Sequence, residues 1–129
     1  MSVSIDIREK DRQVHLVVGP DADYPSWERA LEEVIAHSGY APDFSFLVDT
    51  TGAPPPGTPC VRRAVTHLRA RTPRLSGSRW AVVVSSPATY GMMRMAQGLA
   101  GSDLPDLEIF GSEGDARVWL SLRSEEKLG

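Results

Sequence analysis

Two hydroxyl-rich stretches hold the residue types best suited to chemistry. The first, Asp49-Thr50-Thr51-Gly52, ends an apolar run and opens a segment carrying three consecutive prolines; the second is Ser85-Ser86-Pro87-Ala88-Thr89. In an open α/β sheet, ligands gather beyond the carboxyl ends of the strands, and both stretches fall where such ends are expected. Asp49 would orient a hydroxyl or hold a cation there, with Thr50, Thr51, Ser85, Ser86 and Thr89 around it. Free N–H groups of a helix starting after Ser86-Pro87 would accept a phosphate or carboxylate. The same residue types also terminate strands and cap helices, so the pattern leaves both an anion pocket and a pair of structural turns open.

Cys60 is the lone thiol. Near a helix start, with Arg62 and Arg63 beside it, its pKa would be lowered; the competing reading is a small core residue. No histidine is placed by the sequence to serve it as a base, so no catalytic residue is assigned. His15, His37 and His67 are too far apart for a local metal pair, and the chain lacks a phosphate loop, GxGxxG, GxSxG, CxxC and HExxH. Neither a cofactor nor a metal is expected.

The elements that must position these residues can be read from periodicity. Val3, Ile5 and Ile7 alternate with polar residues, and QVHLVVG follows a turn near Lys10-Asp11, which predicts an N-terminal hairpin. Trp27, Ala30, Leu31, Val34 and Ile35 recur at helical spacing from about Pro25 to His37, and Gly39 is expected to end this helix. FSFLVD and RWAVVVS read as strands covered on both faces. Thr58-Pro59 and Ser86-Pro87 predict helix starts with Thr58 and Ser86 as N-caps. LEIFG predicts a short strand, and Ser112 to Asp115 a cap for a last helix. The order β-β-α-β-α-β-α-β-α defines an α/β fold: one domain over residues 1–122, a mixed sheet with parallel central strands flanked by helices, and a frayed tail over residues 123–129.

Composition bounds the rest. A chain of 129 residues, 41% hydrophobic and 24% charged, is ordinary for a globular domain, and no apolar run approaches the ~18 residues of a membrane span. A single cysteine and a charged start without signal-peptide character point to the cytoplasm. The net charge of −3 argues against a general nucleic-acid binder. Charge is nevertheless segregated: residues 50–102 contain seven arginines and no acid, between two acidic flanks. The stretch either lies against the acidic helices or offers a basic surface to an acidic partner. Two further features suit a protein partner. Arg63, His67 and Arg71 form a polar stripe at i, i+4 and i+8, and the helix around Tyr90, Met93 and Arg94 has an apolar face wider than one buried side needs. A homodimer through that helix is one form such a contact would take.

The hairpin, YPSWERALEEV, FSFLVD, RWAVVVSSPATYGMMRM and LEIFGSEGDARVWL together resemble the SpoIIAA-like proteins of bacteria, small domains related in fold to STAS anti-sigma-factor antagonists and CRAL-TRIO lipid-binding domains. The resemblance spans about Val3 to Leu120. It implies a cytoplasmic, non-enzymatic regulatory or protein-interaction module without a cofactor; a domain for a small anionic ligand or lipid is the alternative. STAS antagonists carry a phosphorylatable serine in an Asp-Ser-Ser-Gly type motif, which DTTG is similar to. Here Ala53 and three prolines follow the glycine, so Thr58 joins Thr50 and Thr51 as a switch candidate.

Overall fold

The computed structural model describes residues 3–75, 77–101 and 106–128. The hairpin is formed by β1 (Val3–Arg8) and β2 (Gln13–Val18), paired antiparallel with Ile5 opposite Leu16. Its turn places Arg12 at φ 53°. The chain then alternates α1 (Tyr24–Ala36), β3 (Ser45–Asp49), α2 (Thr58–Ala70), the single turn α3 (Thr72–Leu75), β4 (Arg79–Val83), α4 (Pro87–Ala100), β5 (Asp106–Phe110) and α5 (Glu113–Leu128). The sheet order is β1-β2-β3-β4-β5, with every pairing after the hairpin parallel. Each new strand therefore adds beside the last, and handedness sends the successive crossover helices to one face.

That face carries the larger core. Val14, Leu16, Phe46, Val48, Trp80, Val82 and Val84 meet Leu31 and Val34 of α1 and Leu68 of α2, with Phe46 and Trp80 stacked at 4.2 Å. The alternate residues Leu47, Ala81 and Val83 point the other way and are covered by Ala116 and Leu120 of α5. The strand period of two thus feeds two separate cores.

Helix starts follow local chemistry. Asp23 caps α1 by accepting from the Ser26 N–H, and Ser26 Oγ returns the bond at the Asp23 N–H, completing a capping box. Ser86 caps α4 as expected, accepting from the Thr89 N–H at 3.1 Å, while Gly101 at φ 60° closes it. One expectation is corrected: Thr58 is not the N-cap of α2. Gly57 takes that position with no side-chain bond, and Thr58 lies inside the first turn, because proline is accepted one residue later than the sequence rule places it. Helix α1 ends at the cap His37 rather than at Gly39. The backbone of α5 stays helical through Leu128, across most of the segment expected to fray; Gly129 lies outside the described residues.

Candidate functional site

The loops after β3 and β4 meet at one edge of the sheet, as the sequence expects. The Thr50 N–H donates to Val83 O at 3.0 Å and its hydroxyl to the same oxygen at 2.7 Å, while Ser85 Oγ donates to Thr51 O at 3.2 Å. Asp49 is occupied locally: one carboxylate oxygen accepts from the Thr51 N–H (2.9 Å) and hydroxyl (2.6 Å), an Asx turn. The Ser86 hydroxyl both caps Thr89 N–H and donates to Thr89 Oγ1 at 3.0 Å. These groups mainly satisfy each other.

Beside them lies a cavity of about 410 Å³, within the range of small-molecule sites. Its floor is the sheet, through Val18, Val48, Trp80, Val82 and Leu107. Its roof is α2, through Cys60, Val61, Ala64, Val65 and Leu68. Met93 and Ala96 of α4 and Trp27 of α1 close the sides, and Pro54, Pro55 and Pro56 form the rim near Thr50. The α2 backbone runs along α4 and α1. The small residues Cys60, Ala64 and Ala96 face inward where larger ones would have filled the gap. No Lys, Arg or His is among the described residues that line it.

The stripe of Arg63, His67 and Arg71 turns toward α1 and forms a seam. Arg63 stacks over the Tyr24 ring at 4.1 Å, His67 lies 3.1 Å from Glu32 and 3.7 Å from Glu28, and Arg71 donates twice to Glu32 at 2.8 and 2.9 Å. Arg71 holds the Glu32 carboxyl below its ordinary range. Tyr24 donates to Arg63 O at 3.3 Å, and burial pushes its hydroxyl up to about 12. Other arginines of the basic stretch also find intramolecular contacts: Arg69 donates to Leu99 O, and Arg79 lies over Trp119 and 3.6 Å from Asp106. The three α4 candidates separate. Met93 lines the cavity, Tyr90 is exposed, and Arg94 is exposed and donates to Gln97 at 3.1 Å.

Of the two readings of Cys60, the lowered pKa is the one the surroundings disfavour. The residue lines the cavity half-buried, and loss of water raises its pKa, with Arg63 opposing only in part; the thiol is protonated at neutral pH and poorly nucleophilic. Of the three switch candidates, Thr51 and Thr58 are exposed, whereas Thr50 is half-buried. Among the described residues, no group of three or more His, Cys, Asp or Glu could hold a metal ion, and no helix is long and apolar enough to cross a membrane.

No protein-family model and no curated protein matches the chain. Among solved structures it is similar to an uncharacterized DUF3478-family protein with a SpoIIAA-like fold from Shewanella loihica PV-4. The likeness has a TM-score of 0.61 at 17% identity and covers 92% of each chain. At that identity the likeness speaks for the fold, and the hairpin, the parallel strands and the flanking helices agree with it: this chain has the SpoIIAA-like fold.

Proposed function

We propose that the protein is a non-enzymatic binding module that takes a small, largely apolar ligand between its sheet and α2. The observation that carries this reading is the cavity of about 410 Å³ between the sheet and α2, lined mainly by apolar residues. Native interiors are packed nearly as densely as organic crystals, so a space of that size with an apolar lining is a binding feature rather than ordinary core. The anionic alternative fares less well: Asp49 is negative and locally bonded, and Thr89 N–H at the start of α4 is already capped.

The one thiol supplies the test. Cys60 lies in the cavity wall, so an occupant must slow its alkylation. Iodoacetamide labelling in the presence of 1-decanol is expected to slow saturably. Labelling unaffected up to the solubility limit of decanol, with no heat of binding, would remove the reading.

Switching by threonine phosphorylation is favoured at Thr58 over Thr50. Thr58 is exposed in the first turn of the roof helix, whose N-cap Gly57 offers no side chain, so a phosphate would meet uncapped N–H groups there. A Thr58→Glu variant is expected to change the Cys60 labelling rate; identical rates would dismiss the switch.

A further inference from the structure

Resting on the cavity reading, we infer that the ligand is an uncharged single-chain acyl compound bound tail first. Its carbonyl end lies at the carboxyl edge of the sheet, and its tail lies against Trp80, Leu107, Ala96 and Leu68.

The cavity has an axis with two unlike ends. Each helix on this face runs antiparallel to the strands it joins, so helix starts and strand ends share one edge. At that edge lie all the polar lining residues: Asp23, Tyr24, Thr50, Cys60 and Thr89. At the opposite edge Trp80 and Leu107 are register partners, Leu68 is near the end of α2, and Ala96 is a full turn before the end of α4. Three elements give the axis similar lengths. Cys60 to Leu68 along α2 is roughly 12 Å and Thr89 to Ala96 along α4 roughly 10 Å at a helical rise of ~1.5 Å per residue. From the level of Trp80 to that of Thr50, the strands span roughly 13 Å at ~3.3 Å per residue.

A long space with one apolar end suits a chain better than a compact polar solute. Its volume admits on the order of a dozen non-hydrogen atoms, taking ~30 Å³ for each, the share of a water in the liquid. One medium-length chain fits, and a two-chain lipid does not.

The head is assigned by the donors and charges at the polar edge. Thr50 spends its proton on Val83 O, and Tyr24 donates to Arg63 O. Thr89 is 3% exposed, and its oxygen accepts the Ser86 proton, which leaves its own proton for a carbonyl oxygen in the cavity. A carboxylate would enter beside Asp23 with no cation among the described lining residues, while the nearby Arg63 is engaged on the Tyr24 ring. Burying a charge under those conditions is costly.

The experiment is calorimetric titration of the full chain with 1-monoacylglycerols from hexanoyl to dodecanoyl, kept below their aggregation limits, and with the matching free acids. Affinity is expected to rise with chain length to an optimum, with each monoacylglycerol binding more tightly than its acid. Ala96→Phe, or the milder Ala96→Leu should the first fail to fold, is expected to shift the optimum to shorter chains. Thr89→Val should weaken every chain by about threefold to tenfold, the worth of one hydrogen bond, and leave the optimum in place. An unchanged optimum in both Ala96 variants, or tighter binding of the acids, would overturn this inference. Decanol protection of Cys60 would still stand in either case, whereas its absence would remove the cavity reading itself.

Discussion

Replacing Ala64 by leucine should stabilise this protein, the reverse of what a closely packed core would give. Ala64 sits on the inner face of α2, one helical turn from Cys60 and from Leu68, and lines the cavity. Leucine adds three carbons, worth up to ~2.4 kcal/mol at ~0.8 kcal/mol per buried methylene. Fixing the longer side chain costs ~0.5–1 kcal/mol of rotamer freedom, and the helix-propensity change is small. The expected net gain is about 1 kcal/mol, equivalent to a rise of roughly 3–5 °C in Tm for a domain of this size. Forcing the same carbons into a filled core instead costs ~1–3 kcal/mol, so the two cases differ in sign. Urea unfolding at neutral pH separates them through the midpoint, provided the slope is unchanged. The same variant should weaken decanol protection at Cys60, because the added side chain takes part of the ligand's space. A loss of 1 kcal/mol or more at constant slope would show that α2 lies on the sheet in solution, and the cavity argument would fail with it.

Thr50 and Thr51 should separate in stability. Thr50→Val removes the half-buried bond to Val83 O and should cost ~1 kcal/mol, whereas Thr51→Ala, on an exposed turn, should stay within ~0.5 kcal/mol; equal urea midpoints would contradict the assignment. A third expectation concerns pH. Burial, aided by Arg8 and Arg117 and opposed by Asp6 and Glu113, lowers the His15 pKa from its ordinary 6.5. The unfolded chain therefore takes up this proton before the folded one, so His15 contributes stability above about pH 6.5 that declines as the pH falls below it. Between about pH 7.5 and about pH 5.5, wild-type stability should fall more steeply than that of His15→Gln. Parallel curves would show that His15 gains no such shift.

The strands were legible because their signal is local. Val3, Ile5 and Ile7 alternate, and Trp80 to Val84 contains no polar residue to place outward, so the strands and the cover on both faces of the central ones could be read without knowing their neighbours. Ser86-Pro87 was legible for the same reason, since a cap is decided within four residues. What escaped was relational. Arg63, His67 and Arg71 look like an outward stripe in isolation, and only the crossing of α2 over α1 supplies Tyr24, Glu28 and Glu32 as their partners. The cavity is harder still, because a gap between helix and sheet has no residue of its own. Its trace was the run of small inward side chains, Cys60, Ala64 and Ala96, opposite the large floor residue Trp80. Met93 carried part of that signal: the wide apolar face of α4 reflects a wall of the cavity as well as contact with the core.

The division of the sheet into two cores has a consequence for how the chain is made. Synthesis delivers ~5–20 residues per second, and all five strands and α1, α2 and α4 emerge before α5 does. The larger core can assemble in that interval, each strand docking on the one before it. Leu47, Ala81 and Val83 have to wait for Ala116 and Leu120. For that time the nascent domain presents a bare aliphatic sheet face, the surface a ribosome-associated chaperone would shield and the first place at which crowded, half-made copies would stick to one another.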